Sequence, residues 1–154
     1  MAVAVGSTGP GPRQDLGYFG VRRPTDAMRF DHAGIATLDA DAAVDVFGPL
    51  LDAEVAHEET REGLRVVFLE LENGFFELLE PVAEDGPIAS YLDDRGPGIH
   101  HVAVRVDDVG AALDRAREAG VELVDEEPRP GAWGHEIAFL HPASTGGVLI
   151  EYVG

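Results

Sequence analysis

Four ionisable residues lie in short apolar segments of this chain: His32, Glu77, His101 and Glu151. A buried charge without a partner is costly, so such residues need a reason to be there. Two imidazoles and two carboxylates satisfy one another if they share a divalent cation, with water or substrate oxygens in the remaining coordination positions. An ion held in this way can polarise a carbonyl group. We therefore interpret the four residues as a metal centre with Lewis-acid chemistry.

This interpretation depends on the four residues together. A lone histidine in a strand is more often a hydrogen-bonded structural residue than a ligand, and a lone glutamate usually faces solvent. Here one His and one Glu occur in each of two halves with the same order of elements, so that His32 corresponds to His101 and Glu77 to Glu151. We expect His100 to point to the opposite face from His101, because side chains alternate along a strand.

Each half is predicted as strand–helix–strand–strand–strand, from alternating apolar residues, aspartates suited to cap helices and an Asn73-Gly74 hairpin signal. The elements of the first half are a strand at 29–37, a helix from Asp39 toward Leu51, and strands at 53–58, 64–71 and 75–80. Those of the second half are a strand at 99–106, a helix after Asp107–Asp108, and strands at 121–125, 135–140 and 148–153. A helical segment at 87–95 separates the halves.

The domain organisation follows from these elements. We expect a single domain over residues 28–154, with modules at about 29–82 and 98–154. Residues 1–27 are rich in glycine and proline and hold no strand or helix period. We interpret them as a disordered leader or as a start-site artefact, with Met28 as the natural first residue.

The composition excludes several classes of function. The chain has no cysteine, which excludes disulfides, a thiolate nucleophile and Cys-ligated metal sites. Its net charge is −18, and every basic residue is arginine, so neither nucleic acid nor an anionic membrane surface is an expected partner. Such acidity is associated with halophiles, and we hypothesise a salt-loving source. A GC-rich genome would explain the missing lysine but not the excess of acids.

A family resemblance is carried by the segments FDHAGIAT, FFELLEP, GIHHVAVRVDDV and DEEPRPGAWGHEIAFLHPASTGGVLIE. They resemble the methylmalonyl-CoA epimerase family of the vicinal oxygen chelate superfamily, over about residues 29–153. The resemblance implies an α+β fold with two paired βαβββ modules that form a curved mixed sheet around a central metal site, often in a homodimer. It also implies that His32, Glu77, His101 and Glu151 are the metal ligands. We expect Co²⁺, with Mn²⁺, Ni²⁺, Zn²⁺ or Fe²⁺ as alternatives.

The implied reaction is the interconversion of (R)- and (S)-methylmalonyl-CoA at C2, in the cytoplasm. Epimerisation through a metal-stabilised enolate needs a base on each face, and Glu151 is our candidate for one. Some members of the family have Gln at the position of Glu77 and a Glu at the position of Val66. We therefore hypothesise that Glu77 is both a ligand and the second base. Trp133 stands where the family more often has a small or polar residue, and could form a lid or only pack within its loop.

Other functions remain open at this point. The resemblance extends to glyoxalase I-type lactoylglutathione lyases, which use a similar His/Glu/His/Glu set. A ring-cleaving dioxygenase fits less well, because that chemistry usually rests on two His and one carboxylate. A non-catalytic drug-binding module generally lacks the four ligands. An acyl-CoA substrate needs cationic partners for its phosphates, and the candidates are Arg65, Arg95, Arg105 and Arg129.

Overall fold

The computed structural model describes residues 27–154, so the predicted leader lies outside the described residues apart from Ala27. Eight strands and three α-helices follow one another in this part of the chain. They are β1 (Arg29–Ala36), α1 (Ala40–Leu51), β2 (Glu54–Arg61), β3 (Leu64–Leu71), β4 (Gly74–Pro81), α2 (Pro87–Arg95), β5 (Gly98–Arg105), α3 (Val109–Glu118), β6 (Arg129–Pro130), β7 (Glu136–Leu140) and β8 (Ile150–Val153). Each module therefore reads strand–helix–strand–strand–strand, as predicted.

All eight strands belong to one mixed sheet in the order β2-β3-β4-β1-β5-β8-β7-β6. The first strand of each module pairs in parallel with the last strand of the same module, β1 with β4 and β5 with β8. The two modules join where β1 runs antiparallel to β5. The four strands that carry the predicted ligands thus lie side by side at the centre of the sheet.

The two long helices, α1 and α3, cover one face of the sheet, and α2 packs through Ile88 and Leu92 against part of the other. Asp39 caps α1 by accepting a hydrogen bond from the N–H of Ala42, and Asp108 caps α3 through the N–H of Ala111. α1 packs with Leu69 and Leu78, which are fully buried. α3 buries its own apolar stripe against β7 and β8 in a second cluster: Val109, Ala112, Leu113 and Ala116, with Ala138, Leu140 and Tyr152. Because side chains alternate, the residues next to these core positions face the hollow of the sheet.

One predicted strand is absent. Residues 121–125 form a single isolated bridge, Leu123 to Leu140, and the second strand of this module is β6. The reason is that the backbone of this segment does not keep a regular ladder with β7, because the N–H groups of Val124 and Asp125 share the carbonyl oxygen of Phe139. The N–H of Glu122 donates to the Ser144 hydroxyl, and the side chain of Asp125 accepts from the N–H of Phe139.

Candidate metal centre

The four predicted ligands converge on one point at the centre of the hollow. Their donor atoms are the Nε2 atoms of His32 and His101 and one carboxylate oxygen each of Glu77 and Glu151, and all four lie within 4.8 Å of one another. Each of the four residues is at most 6% exposed. The register explains the convergence, because Glu77 lies opposite Gly34 on the neighbouring strand, and Glu151 opposite Ala103.

The distances suit a single small cation. His32 Nε2 lies 3.1 Å from His101 Nε2 and 3.1 Å from an oxygen of each glutamate. His101 Nε2 lies 3.2 Å from Glu77 and 3.0 Å from Glu151. Ligand atoms about 2.1 Å from a shared ion are about 3.0 Å apart when their bonds meet at right angles. The donor set is therefore already at coordination spacing.

Gly34 makes room for this arrangement. The ring of His101 lies over it so closely that a Cβ atom at this position would collide with the imidazole. A glycine is needed here for a close approach and not for an unusual backbone angle, since Gly34 is not among the residues with positive φ.

Two β-bulges in the β1–β5 ladder place a further side chain behind each histidine. Asp31 is left out between the pairs Phe30–Val104 and His32–Ala103, and His100 is left out where Gly34 pairs with His101 and Ile35 with Ile99. Asp31 accepts a 2.7 Å hydrogen bond from Nδ1 of His32. Nδ1 of His100 lies 3.0 Å from Nδ1 of His101. The expectation that His100 faces away from His101 is thus wrong, because the bulge breaks the alternation on which it relied.

Asp31 is itself buried and held by a second partner. Nε of Arg105 donates to its other carboxylate oxygen at 2.7 Å. Burial alone would raise the pKa of Asp31, but the hydrogen bonds from His32 and Arg105 hold it below its usual value. Asp31 is therefore an anion that keeps the proton of His32 on Nδ1, which leaves Nε2 facing the other donors.

The four residues together shift one another's pKa values in the direction that stabilises positive charge at the centre. Burial lowers the pKa of His32, yet the hydrogen bond to Asp31 and the adjacent carboxylates of Glu151 and Glu77 raise it to about 11. The pKa of His101 is also raised, against its burial, by Glu151 and Glu77. Burial would raise the pKa of both glutamates, but the two histidines lower it. A cation would take the place of these protons.

Glu151 supplies a further sign that the donors fit a metal ion. Its Oε2 atom is buried and, within the part of the chain that the structure describes, has no hydrogen-bond partner. It lies 3.0 Å from Nε2 of His101 and 3.1 Å from Nε2 of His32, without a hydrogen bond to either. Buried carboxylate oxygens are rarely left without a partner, and an ion at the shared point would provide one.

The donors open into a cavity of about 370 Å³. Glu77, His101 and Glu151 lie in its wall together with His100. Apolar side chains form much of the remainder: Val66, Leu79, Ala132, Ile137, Phe139 and Leu149. Val66 pairs with Leu79 on the neighbouring strand, two positions from Glu77, so an apolar patch lies directly beside that carboxylate.

The cationic lining of the cavity differs from the expected one. Of the four arginines considered for phosphate binding, only Arg129 lines the cavity, and Arg61 joins it. Arg65 is bonded to Asp41, Glu58 and Glu80. Arg105 is bonded to Asp31 and the guanidinium of Arg95 lies over the ring of Tyr91.

Sequence reasoning missed Asp31, His100 and Arg61 as residues of this site. The chain offers one signal for the first two, since each stands immediately before a predicted ligand. That signal becomes readable only when the bulges are known.

Among the described residues, no helix is long and apolar enough to cross a membrane.

Comparisons with known proteins agree with this geometry. Residues 31–139 match the glyoxalase/bleomycin resistance protein/dioxygenase superfamily. An ethylmalonyl-CoA/methylmalonyl-CoA epimerase of Cereibacter sphaeroides is 40% identical over 127 residues, which cover 80% of this chain and 95% of the relative. The crystal structure of methylmalonyl-CoA epimerase from Mycobacterium tuberculosis matches with a TM-score of 0.77 and 40% identity, over 81% of this chain and 86% of that one. A methylmalonyl-CoA epimerase in complex with methylmalonyl-CoA and NH4+ matches with a TM-score of 0.78 and 38% identity, over 82% and 93% of the two chains.

Proposed function

The chain belongs to the glyoxalase/bleomycin resistance protein/dioxygenase superfamily, and we propose that within it the chain is an isomerase that epimerises methylmalonyl-CoA at C2. The observation that carries this proposal is the pair of buried carboxylates, Glu77 and Glu151, that converge on one point in a cavity. Relatives and solved structures named as methylmalonyl-CoA epimerases support the choice of substrate.

The two glutamates are the acid and base of the proposed reaction. Glu151 takes the proton from C2, and the electron pair of the C–H bond moves into the enolate of the thioester. Glu77 would loosen from the metal when the substrate binds, take up a proton there and give it to the opposite face of C2. Each turnover leaves the proton on the other carboxylate, and exchange of protons with water restores the starting state for the next molecule of the same epimer.

Both carboxylates are also proposed as metal ligands, with His32 and His101. A divalent ion bound by these four residues would supply a positive charge that stabilises the enolate oxygen as the C2 proton leaves. Nitrogen and oxygen donors of this kind suit Co²⁺, which we propose first, and also Mn²⁺, Ni²⁺, Zn²⁺ or Fe²⁺.

The cavity wall offers partners for the rest of an acyl-CoA. The apolar patch of Val66, Leu79 and Ala132 suits the alkyl group at C2. Arg61 and Arg129 are the arginines of the cavity wall and are proposed to meet the phosphates. Charge attraction from these two side chains would offset part of the repulsion between an anionic substrate and a chain of net charge −18.

Turnover of a single epimer tests the proposal. We expect (S)-methylmalonyl-CoA to convert to an equal mixture of epimers, with uptake of solvent deuterium at C2 in D₂O. Treatment with a chelator should abolish both, and added Co²⁺ should restore them. The same protein incubated with the hemithioacetal of glutathione and methylglyoxal should form no lactoylglutathione. Formation of lactoylglutathione without epimerisation would favour the glyoxalase I reaction instead.

We also propose that the enzyme works in the cytoplasm as a homodimer and that residues 28–154 of each chain form a single domain. Several large apolar side chains are exposed and support a partner surface, among them Met28, Phe30 and Ile99. Light scattering during gel filtration would test the oligomeric state, and a monomer at micromolar concentration would contradict it.

A further inference from the structure

The two modules touch at a second place, away from the central β1–β5 pair. β2 and β6 are the edge strands of the curved sheet. The turn that follows β6, Ala132–Gly134, contacts β2. This contact joins the two edges of the sheet across the hollow, and side chains rather than a strand ladder make it.

Three side chains of β2 hold the turn. His57, Glu59 and Arg61 alternate along the strand and are half-buried, whereas Glu58 and Thr60 between them are exposed. The ring of His57 stacks on the indole of Trp133, with centroids 4.7 Å apart and planes 4° from parallel. Glu59 accepts hydrogen bonds from Nε2 of His57 at 2.8 Å and from the backbone N–H of Trp133 at 3.2 Å.

Arg61 adds the third attachment, because its guanidinium donates to the carbonyl oxygen of Gly131. The backbone of Trp133 is left-handed, with φ 57° and ψ 25°. A bulky residue is uncommon in that region and persists only where its surroundings hold it. The stacked ring and the hydrogen bonds from β2 are the contacts that do so.

Trp133 also packs toward the metal centre. Its ring centroid lies 5.2 Å from that of Phe68 and 5.7 Å from that of Phe75. The ring of Phe68 in turn meets that of His32 edge to face, at 5.7 Å. The indole therefore lies between the β2 side chains and the aromatic layer behind a predicted metal ligand.

The residues next to Trp133 form part of the cavity wall. Gly131 and Ala132 line the same cavity as Glu77 and Glu151. The backbone of Gly131 lies so close to Ile137 that a Cβ atom on it would come within 2.6 Å of Ile137 Cγ2. Ala132 packs against the apolar cluster that contains Val66 and Leu79. The position of this wall thus depends on how Trp133 is held.

We propose that Trp133 is a positioning residue that limits the size of the C2 substituent. Held by the three β2 side chains, it fixes the wall of Gly131 and Ala132 beside the reacting carbon. The inference rests on the proposed function, since it takes C2 of an alkylmalonyl thioester as the group that meets the wall. Release of Trp133 lets the wall retreat and admits a longer alkyl group.

His57→Ala tests the inference, with Thr60→Ala on the exposed face of the same strand as the matched control. Trp133 is the single tryptophan of the chain, so its fluorescence reports on this turn without interference. We expect acrylamide to quench it about threefold more strongly in His57→Ala and unchanged in Thr60→Ala. In the metal-loaded protein, the ratio of dissociation constants for methylmalonyl-CoA and ethylmalonyl-CoA should shift about tenfold toward ethylmalonyl-CoA in His57→Ala alone.

The two measurements separate the possible failures. Unchanged quenching, or an unchanged ratio of dissociation constants, overturns the inference. Binding of both thioesters without epimerisation sinks the proposed function alone, because the ratio still decides whether Trp133 sets the cavity wall. If neither thioester binds the unmodified protein, both ideas fail. Should His57→Ala not fold, Glu59→Gln keeps the shape of the side chain, weakens its hold on Trp133 and is judged by the same two results.

Discussion

Asp31 and His100 occupy equivalent positions in their modules: each is the extra residue of a β-bulge, and each meets Nδ1 of the histidine that follows it. One is an anion fastened by Arg105, and the other is an imidazole. For Nε2 of His101 to be free of a proton, its Nδ1–H must donate to His100. The two histidines of the centre are therefore oriented in the same way by partners of different charge.

Loss of the Asp31 charge should weaken metal binding. In Asp31→Asn the side chain keeps its shape but no longer stabilises a positive charge on His32, and partners of this kind are typically worth about 10–100-fold in metal affinity. Competition against a chromophoric chelator would measure the change. Asp45→Asn, on the exposed surface of α1, is the control. An affinity as high as that of the unmodified protein would show that Asp31 has no part in metal binding.

His100 should act through its capacity to accept a hydrogen bond. His100→Asn retains an acceptor near Nδ1 of His101, whereas His100→Leu removes it. We expect the leucine variant to bind Co²⁺ about tenfold more weakly and the asparagine variant to remain close to the unmodified protein. The visible absorption of bound Co²⁺ reports whether the coordination is intact. Equal loss in both variants would indicate a packing role for His100.

Metal binding should release protons and strengthen as the pH rises. Because the pKa of His32 in the metal-free protein is raised from 6.5 to about 11, its imidazole holds at neutral pH a proton that the ion must displace. Calorimetric titrations in two buffers of different ionisation enthalpy would count the protons. An identical heat in both buffers would mean that no proton leaves.

The same shifts set the pH range in which the metal-free protein is most stable. The raised pKa of His32 stabilises the fold fully below 6.5, and this contribution is lost as the pH rises through about 11. The lowered pKa of Glu77 stabilises the fold above 4.5, and that contribution is lost as the pH falls. We expect the melting temperature of the chelator-treated protein to peak between these values. A steady rise in melting temperature from pH 6.5 to 9 would contradict the assignment.

Substitution of either glutamate should lower the rate of catalysis more than the loss of a metal ligand alone would. Glu151→Gln and Glu77→Gln each remove one base, and we expect either change to lower kcat for epimerisation by about 10²–10⁴-fold. Solvent-deuterium uptake at C2 from each pure epimer shows which face has lost its base. If epimerisation and deuterium uptake both survive unchanged in Glu77→Gln, Glu77 is only a ligand.

Salt should stabilise the chain if its acidity reflects a halophilic source. Acidic side chains outnumber basic ones so far that Arg65 alone forms ion pairs with three carboxylates. The net charge of −18 adds electrostatic repulsion, which dissolved cations screen. Melting curves in KCl from low to molar concentration should therefore shift upward. A melting temperature independent of KCl would sink the halophile hypothesis.

The sequence predicted the repeated modules and the metal donors because both follow from the alternation of apolar residues along the strands and from residue type. His32 and Glu77 lie on apolar strands whose alternation is readable, and their counterparts His101 and Glu151 lie on strands of the same kind. Convergence of the four donor atoms then follows from the pairing of the strands.

The features that the sequence did not predict are those that interrupt the regular alternation of side chains along a strand. A bulge shifts the register by one residue, and no local signal marks Asp31 or His100 as the residue left out. The strand expected at 121–125 also lacks a regular ladder, since the N–H groups of Val124 and Asp125 share the carbonyl oxygen of Phe139 and that of Glu122 donates to the Ser144 hydroxyl. The contact of Trp133 with β2 joins segments that are distant in sequence, so no local pattern of residues predicts it.

Each module contributes one imidazole and one carboxylate from its own parallel strand pair, so neither module alone contains all four donors. An ion bound there is a cross-link over the seam between β1 and β5. Loading it should resist the separation of the two halves under denaturant or mechanical force, and stripping it should loosen the seam before either half loses its helices. The reactive centre of this chain would then also help to hold its two modules together.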